Sequence, residues 1–238
     1  MGLWNSTYVF FSADHGYHFG ELRLGGGKWN VYDTDIRVPM RVIGPGIQAN
    51  TKLGMVGSHV DLAPTWLELA GLDVPADMDG HSLLGGLLDH GPSPLDNLGS
   101  ALARAPAAPA PAPRGSGGAL PVGGAYIEYH GLGPTGATSP PFFRQQDAFN
   151  NTYRALRVID RRAGGLGNVL YAEFGTYDFT TIHTREFFDI DDDAWQTHNR
   201  YAALPAAEKV EWATRLSNMF RCSGAACRTN SSSGSVSF

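Results

Sequence analysis

Tyr8-Val9-Phe10-Phe11-Ser12 runs directly into Ala13-Asp14-His15-Gly16-Tyr17-His18-Phe19-Gly20-Glu21, and this junction decides the fold. The aromatic and β-branched run reads as a short buried strand, and Asp14-His15-Gly16 as the loop at its carboxyl end. In open α/β sheets the crevice beyond that end is where ligands sit. A carboxylate beside an imidazole there makes half of a divalent-cation site, although an Asp in such a loop also serves as a helix or turn cap. Gly16 lets the backbone turn so that both side chains aim at one point. Lys28 follows the Gly25-Gly26-Gly27 run. A cation held there by backbone rather than by packing suits a tetrahedral oxyanion such as sulfate or phosphate near a metal; alone it would read as a solvated charge.

Working outward, Pro39-Met40-Arg41-Val42-Ile43 reads as a second strand stopped by Gly44-Pro45-Gly46. A helix follows over about residues 61 to 70, with Asp61 as a cap, Pro64 in the first turn and Gly71 at the end. Residues 91–124 change character: an Ala/Pro tract passes into Gly/Ser and predicts a disordered linker between a domain at 1–90 and one at 125–221. Strand-like segments return at 125–129, 152–159, 168–174 and 185–190. A helix over about 205–220 then shows Ala206, Val210, Ala213, Leu216 and Phe220 on one stripe. Strands followed by a helix imply a small antiparallel sheet covered on one face, with residues 222–238 as a flexible tail.

The chain has 238 residues, and 18 Lys+Arg against 23 Asp+Glu give a net charge of −5, so no basic surface is available to coat nucleic acid. No apolar run is long enough for a spanning helix. The first residues lack a basic region, an apolar stretch and a small-residue cleavage site, so either the protein is cytoplasmic or its true beginning is missing.

The ordered set Ser12 to His18, Gly20, Lys28, Tyr32-Asp33-Thr34-Asp35-Ile36-Arg37-Val38-Pro39 and Gly44-Pro45-Gly46 resembles the sulfatase family of the alkaline-phosphatase-like superfamily. The resemblance continues through Val60-Asp61-Leu62-Ala63-Pro64-Thr65 and Met78-Asp79-Gly80-His81-Ser82. Glu128-Tyr129-His130-Gly131, Asn151 to Arg157, Tyr171 to Phe174 and Glu186 to Ile190 resemble the C-terminal subdomain of the N-acetylglucosamine-6-sulfatase and glucosamine-6-endosulfatase branch. The resemblance implies an α/β fold: part of an alkaline-phosphatase-like sheet plus a small C-terminal antiparallel sheet with a packed helix. It also implies that Asp14 and His15 are the second pair of calcium ligands, that Lys28 binds sulfate, and that His18 could face the pocket and give a proton to the leaving alcohol. The implied substrate is a sulfated glycan, and the implied location is secreted, cell-surface or lysosomal.

Equally informative is the departure from the family. No Cys-x-Pro-Ser-Arg occurs, no earlier Asp-Asp pair, and the only cysteines are Cys222 and Cys227. The chain therefore reads as the C-terminal portion of a sulfatase without its formylglycine nucleophile, wanting an N-terminal half as partner and inactive alone. Alternatives are an inactive remnant that binds sulfated glycans, and a two-zinc phosphodiesterase of the same superfamily, which would need a His-x-His pair that the chain lacks. Asp189 to Asp193 begins like a calcium-binding loop, but Ala194 stands in the sixth place and Arg200 in the twelfth. Cys222 and Cys227 suit a small terminal disulfide in a secreted protein rather than zinc. Sequons begin at Asn5, Asn150 and Asn230, the first abutting the expected core strand. Arg154, Arg157, Arg161 and Arg162 read as a solvated hairpin end, with contact to an anionic glycan as the alternative.

Overall fold

A computed structural model describes residues 2–54, 56–88, 123–131, 151–160 and 165–232. In chain order these form strands β1 (Val9–Phe11), β2 (His18–Phe19) and β3 (Gly26–Gly27), helix α1 (Asp33–Ile36), β4 (Arg41–Ile43), and helices α2 (Leu62–Leu69) and α3 (Leu84–Leu88). Strands β5 (Gly123–Tyr129), β6 (Tyr153–Asp160), β7 (Gly167–Gly175) and β8 (Ile182–Asp189) follow, then helices α4 (Ala206–Arg221) and α5 (Ala225–Ser232). The stretch expected as a linker, 91–124, lies up to residue 122 outside the described residues, as do Arg161, Arg162 and Asn150.

Two compact units form, and they do not follow chain order. Residues 13–39, which carry Asp14, His15, His18 and Lys28, are built into the unit of residues 124–221, while the chain from 222 onward belongs with residues 1–12 and 40–123. The expected boundaries at 90 and 125 are crossed in both directions.

In the first unit β1 pairs antiparallel with β4, Phe10 opposite Val42. The expected buried strand is an open ribbon instead: it has two strands and one packed face, so Val9 and Phe11 are 40% and 62% exposed while Phe10 meets the edge of Trp66 on α2 at 6.1 Å. The Asp61 side chain does not cap α2 as expected: Ser58 is the cap of the 3-10 turn that leads into the helix, and Asp61 is its capping-box partner, its carboxylate accepting the N–H groups of Ser58 at 2.7 Å and His81 at 2.8 Å. Gly71, at φ 74°, ends that helix where a side chain would be strained. Thr65 ties α2 to the start of α3, its hydroxyl donating to the Asp61 carbonyl and accepting the Leu83 N–H. Of the segment expected as a flexible tail, residues 222–232 are held. Cys222 and Cys227 are disulfide-bonded, Ala225 donates to the Ala76 carbonyl, and Arg228 donates to the carbonyls of Pro75 and Met78.

The second unit is built on a sheet of order β5-β6-β7-β8, with β6–β7 and β7–β8 antiparallel. It is covered on both faces, not one. Along β7, Leu170 and Ala172 turn to a core shared with Val31, Tyr153, Ala155 and Phe188, against which Tyr32 and Ile36 pack. Tyr171 turns the other way, to Trp212 of α4 at 6.0 Å. Covering both faces explains why β6 is buried at nearly every position instead of alternating. The stripe expected on α4 is rotated: Trp212 and Leu216, one turn apart, are the buried pair and Val210 is 66% exposed. The indole finds Tyr171 and Phe187 (5.5 Å), and burying a side chain of this kind is worth about 1.5–3 kcal/mol.

Charges in this sheet are paired rather than solvated. Glu173 accepts Arg154 Nη2 at 2.7 Å, Arg185 Nε at 3.1 Å and the Tyr171 hydroxyl at 2.8 Å, and Arg157 donates to Asp33 at 2.8 Å. Arg154 and Arg157 are both buried, which corrects their reading as a hairpin end in water: each finds a carboxylate that water would otherwise have to replace. Burial alone would raise the Glu173 carboxyl, but the bonds from Arg154, Tyr171 and Arg185 together hold it below its ordinary 4.5. A depressed carboxylate stabilises fully above its unfolded value, and that stabilisation is lost as pH falls through the folded one. Glu173→Gln should therefore cost about 3–5 kcal/mol in denaturant unfolding at neutral pH, because it strands two guanidinia, and the penalty should shrink below about pH 4.

Candidate functional site

His18 stands opposite Gly27 and Phe19 opposite Gly26 in the β2–β3 pair, and this short ribbon returns the chain so that Lys28 meets the Asp14–His15 corner. The corner is fixed by close backbone approach. Gly16 donates its N–H to the Asp35 carbonyl at 2.7 Å, and a Cβ on Gly16 would lie 1.9 Å from the Thr34 carbonyl oxygen. Glycine is needed for the room it leaves rather than for the turn expected of it, since its φ is not in the left-handed region.

His15 Nδ1 lies 2.7 Å from the Gly16 carbonyl, which can only accept, so the ring hydrogen sits on Nδ1 and Nε2 presents its lone pair. Lys28 Nζ donates to that lone pair at 2.6 Å. Asp14 Oδ2 is 3.1 Å from the same nitrogen. Two acceptors this close require a positive charge at their meeting point, and the Lys28 ammonium provides one. The backbone N–H of His15 is the largest of the effects that hold the Asp14 carboxyl below its usual range, against the opposing effect of burial and with the Lys28 charge adding to it. The structure thus brings together three of the four residues singled out from the sequence.

His18 is the exception. It is 0% exposed, and its Nδ1 bonds both oxygens of Asp35 at 2.8 and 2.9 Å, so it holds the loop and does not reach solvent. Asp35 also accepts the Asn30 N–H at 2.9 Å, which anchors the residues just after Lys28. Further ties run to the sheet: Tyr153 donates its hydroxyl to the Asn30 carbonyl, Arg157 grips Asp33, and the Asp33 N–H donates to Gln196. Asp35 stood in the quoted motif without a role, and beside Asp33 and Thr34 nothing in the sequence marked it out as the buried member. Arg157 and Gln196, more than a hundred residues away, gave no local signal.

Asp14 and His15 fit part of a hard-cation site: a carboxylate oxygen and an imidazole lone pair converge where positive charge is wanted. Calcium takes six to eight oxygen-rich ligands, and among the described residues no group of three or more His, Cys, Asp or Glu is placed to hold a metal. By themselves these two residues would supply only part of such a ligand set. No helix of the described residues is long and apolar enough to cross a membrane.

Comparison with known proteins gives this geometry its context. The sulfatase family model matches residues 1–72. Those residues are sulfatase-family sequence. Over 241 aligned residues the chain is 30% identical to human N-acetylglucosamine-6-sulfatase, covering 96% of this chain and 38% of that one. Over 97 residues it is 41% identical to the extracellular sulfatase SULF-1 homolog of Drosophila melanogaster, covering 41% of this chain and 9% of that one. The crystal structure of the sulfatase yidJ from Bacteroides fragilis matches 92% of this chain and 36% of its own length, with a TM-score of 0.61 at 18% identity, and so shares the fold. The chain spans little more than a third of the length of the human sulfatase it matches.

Within this sulfatase-like loop the structural weight falls on Asp35. Asp35→Ala strands the His18 imidazole and the Asn30 N–H in the core, each at about 1–3 kcal/mol. Chemical denaturation should show that loss, and the amide resonances of Lys28 and Trp29 should broaden or move well before global unfolding.

Proposed function

We propose that this chain supplies the cation- and sulfate-binding portion of a sulfuric ester hydrolase acting on 6-O-sulfated glucosamine residues of glycans, and corresponds to the C-terminal portion of that enzyme. The convergence of Lys28 Nζ, His15 Nε2 and the Asp14 carboxylate carries the reading. Asp14 and His15 would hold a calcium ion together with ligands from outside this chain. When bound, the ion supplies Lewis-acid polarisation of the sulfate oxygens. Lys28, whose ammonium is exposed at this corner, would bind the sulfate and stabilise charge gathering on its oxygens as the ester bond breaks. His15 keeps its hydrogen on Nδ1 through Gly16, which preserves Nε2 as a ligand.

Both cysteines are joined to each other, so this chain offers no thiol that could be converted into the family's nucleophile. Turnover then needs a nucleophile from elsewhere, in keeping with an N-terminal sulfatase half as partner. The disulfide, the exposed sequon at Asn5 and the kinship with an extracellular sulfatase favour a secreted, cell-surface or lysosomal setting.

Calorimetric titration of the full chain with sodium sulfate, with and without calcium, tests the reading. Calcium should strengthen sulfate binding, Lys28→Ala and Asp14→Asn should each weaken it tenfold or more, and no aryl sulfate should be hydrolysed by this chain alone. Robust turnover, or sulfate binding indifferent to calcium and to both substitutions, contradicts it.

A further inference from the structure

Arg154, Glu173 and Arg185 are cross-strand partners and form one row over β6, β7 and β8. Glu173 is 1% exposed and saturated: Oε2 accepts Arg154 Nε and Nη2, and Oε1 accepts the Tyr171 hydroxyl and Arg185 Nε. Two guanidinia share this one carboxylate.

Donors are in surplus. Arg154 Nη1 and both Nη groups of Arg185 have no hydrogen-bond acceptor among the described residues, and they are not among the buried unpartnered atoms, so they reach solvent. They open onto a groove of about 400 Å³ between the sheet and α4, whose helix wall includes Ser217 and Asn218. The Ser217 hydroxyl and the Asn218 amide have no side-chain partner among the described residues, whereas the neighbouring Thr214 hydroxyl is spent on the Val210 carbonyl. The Arg154 guanidinium also rests against the Phe179–Phe220 pair, 4.9 Å from each centroid, the two rings meeting edge-on at 5.4 Å, so one side of its fork is supported before any ligand arrives.

From these unpartnered donors we propose that the groove is an oxyanion site for a sulfate or carboxylate group of a polyanionic glycan, formed by Arg154, Arg185, Ser217 and Asn218 and separate from the Asp14, His15 and Lys28 cluster. Planar guanidinium forks bind both oxyanions bidentately, and a glycan carrying several such groups would be held by one while another is cleaved. Only the naming of the glycan rests on the function proposed above; the anion site itself does not.

The test is an NMR titration of the full ¹⁵N-labelled chain, without calcium, using sodium sulfate in one arm and sodium acetate in the other. The Asn218 side-chain amide and the backbone amides of Ser217 and Asn218 should shift saturably with sulfate, and the acetate arm reads whether a carboxylate is also accepted. Asn218→Glu places a carboxylate in the groove without touching the Glu173 cluster and should weaken sulfate binding there tenfold or more. Arg185→Ala should do the same, and Lys28→Ala should leave it unchanged. Absence of a saturable shift, or binding that survives Asn218→Glu and is lost with Lys28→Ala, overturns the proposal. An intact groove response beside sulfate binding indifferent to calcium and Lys28 would count against the proposed function and leave this site standing.

Discussion

Asp35 is 2% exposed, and both its side chain and its backbone are spent inside one loop. The carboxylate takes the His18 ring nitrogen and the Asn30 N–H, with the Thr34 hydroxyl at 3.3 Å, while its carbonyl takes the Gly16 N–H. Three pieces of chain, around residues 16–18, 30 and 34–35, are thereby drawn to one residue. Lys28 lies between the first two, so its position opposite His15 is a consequence of this knot rather than of any packing of its own exposed side chain. The constraint is costly to leave half-made: a buried carboxylate without its partners loses more than the bonds themselves. That is why so small a loop, with two-residue strands, can hold a defined arrangement of charged groups.

The same loop is anchored at its far end by the sheet. Val31, Tyr32 and Ile36 pack onto the face formed by Ala155, Leu170, Ala172 and Phe188, and Arg157 reaches from β6 to Asp33. The Tyr32 hydroxyl, pushed up to about 12 mainly by burial and then by the Glu186 carboxylate, stays neutral throughout the physiological range. Segment 13–39 therefore depends on residues more than a hundred positions later. The sheet's second face carries a different device, the Arg154–Glu173–Arg185 row beneath α4. One sheet thus supports the candidate cation and sulfate loop on one side and a surplus of anion-seeking donors on the other.

Local chemistry was legible in the sequence wherever the residues concerned were neighbours. The Asp14-His15 pair, the Lys28 cation, the helix that follows Asp61 and closes at Gly71, and the four strand segments of the sheet all announce themselves through spacing or propensity. What failed to show was set by distant partners. Val9 and Phe11 have the composition of a buried strand, yet burial depends on what covers a strand, and the ribbon with β4 covers one face. Val210 fits the helical stripe as well as Trp212 does; only the Tyr171 and Phe187 rings across the interface choose between them. His18 beside His15 reads as a second reactive imidazole until Asp35 claims it, and Gly16 reads as a turn residue until the Thr34 carbonyl is found where its side chain would be. The ion row over three strands is also invisible locally, because its register appears only once β6, β7 and β8 are paired.

Imidazole ¹⁵N spectra of the full chain reach the central claim most directly, since the arrangement of Asp14, His15 and Lys28 fixes one tautomer of one ring. In its neutral form His15 should show a protonated Nδ1 and an unprotonated Nε2, with the Nε2 resonance moving markedly in Lys28→Ala. A ring protonated on Nε2, or an Nε2 resonance unchanged by removal of Lys28, would contradict the account.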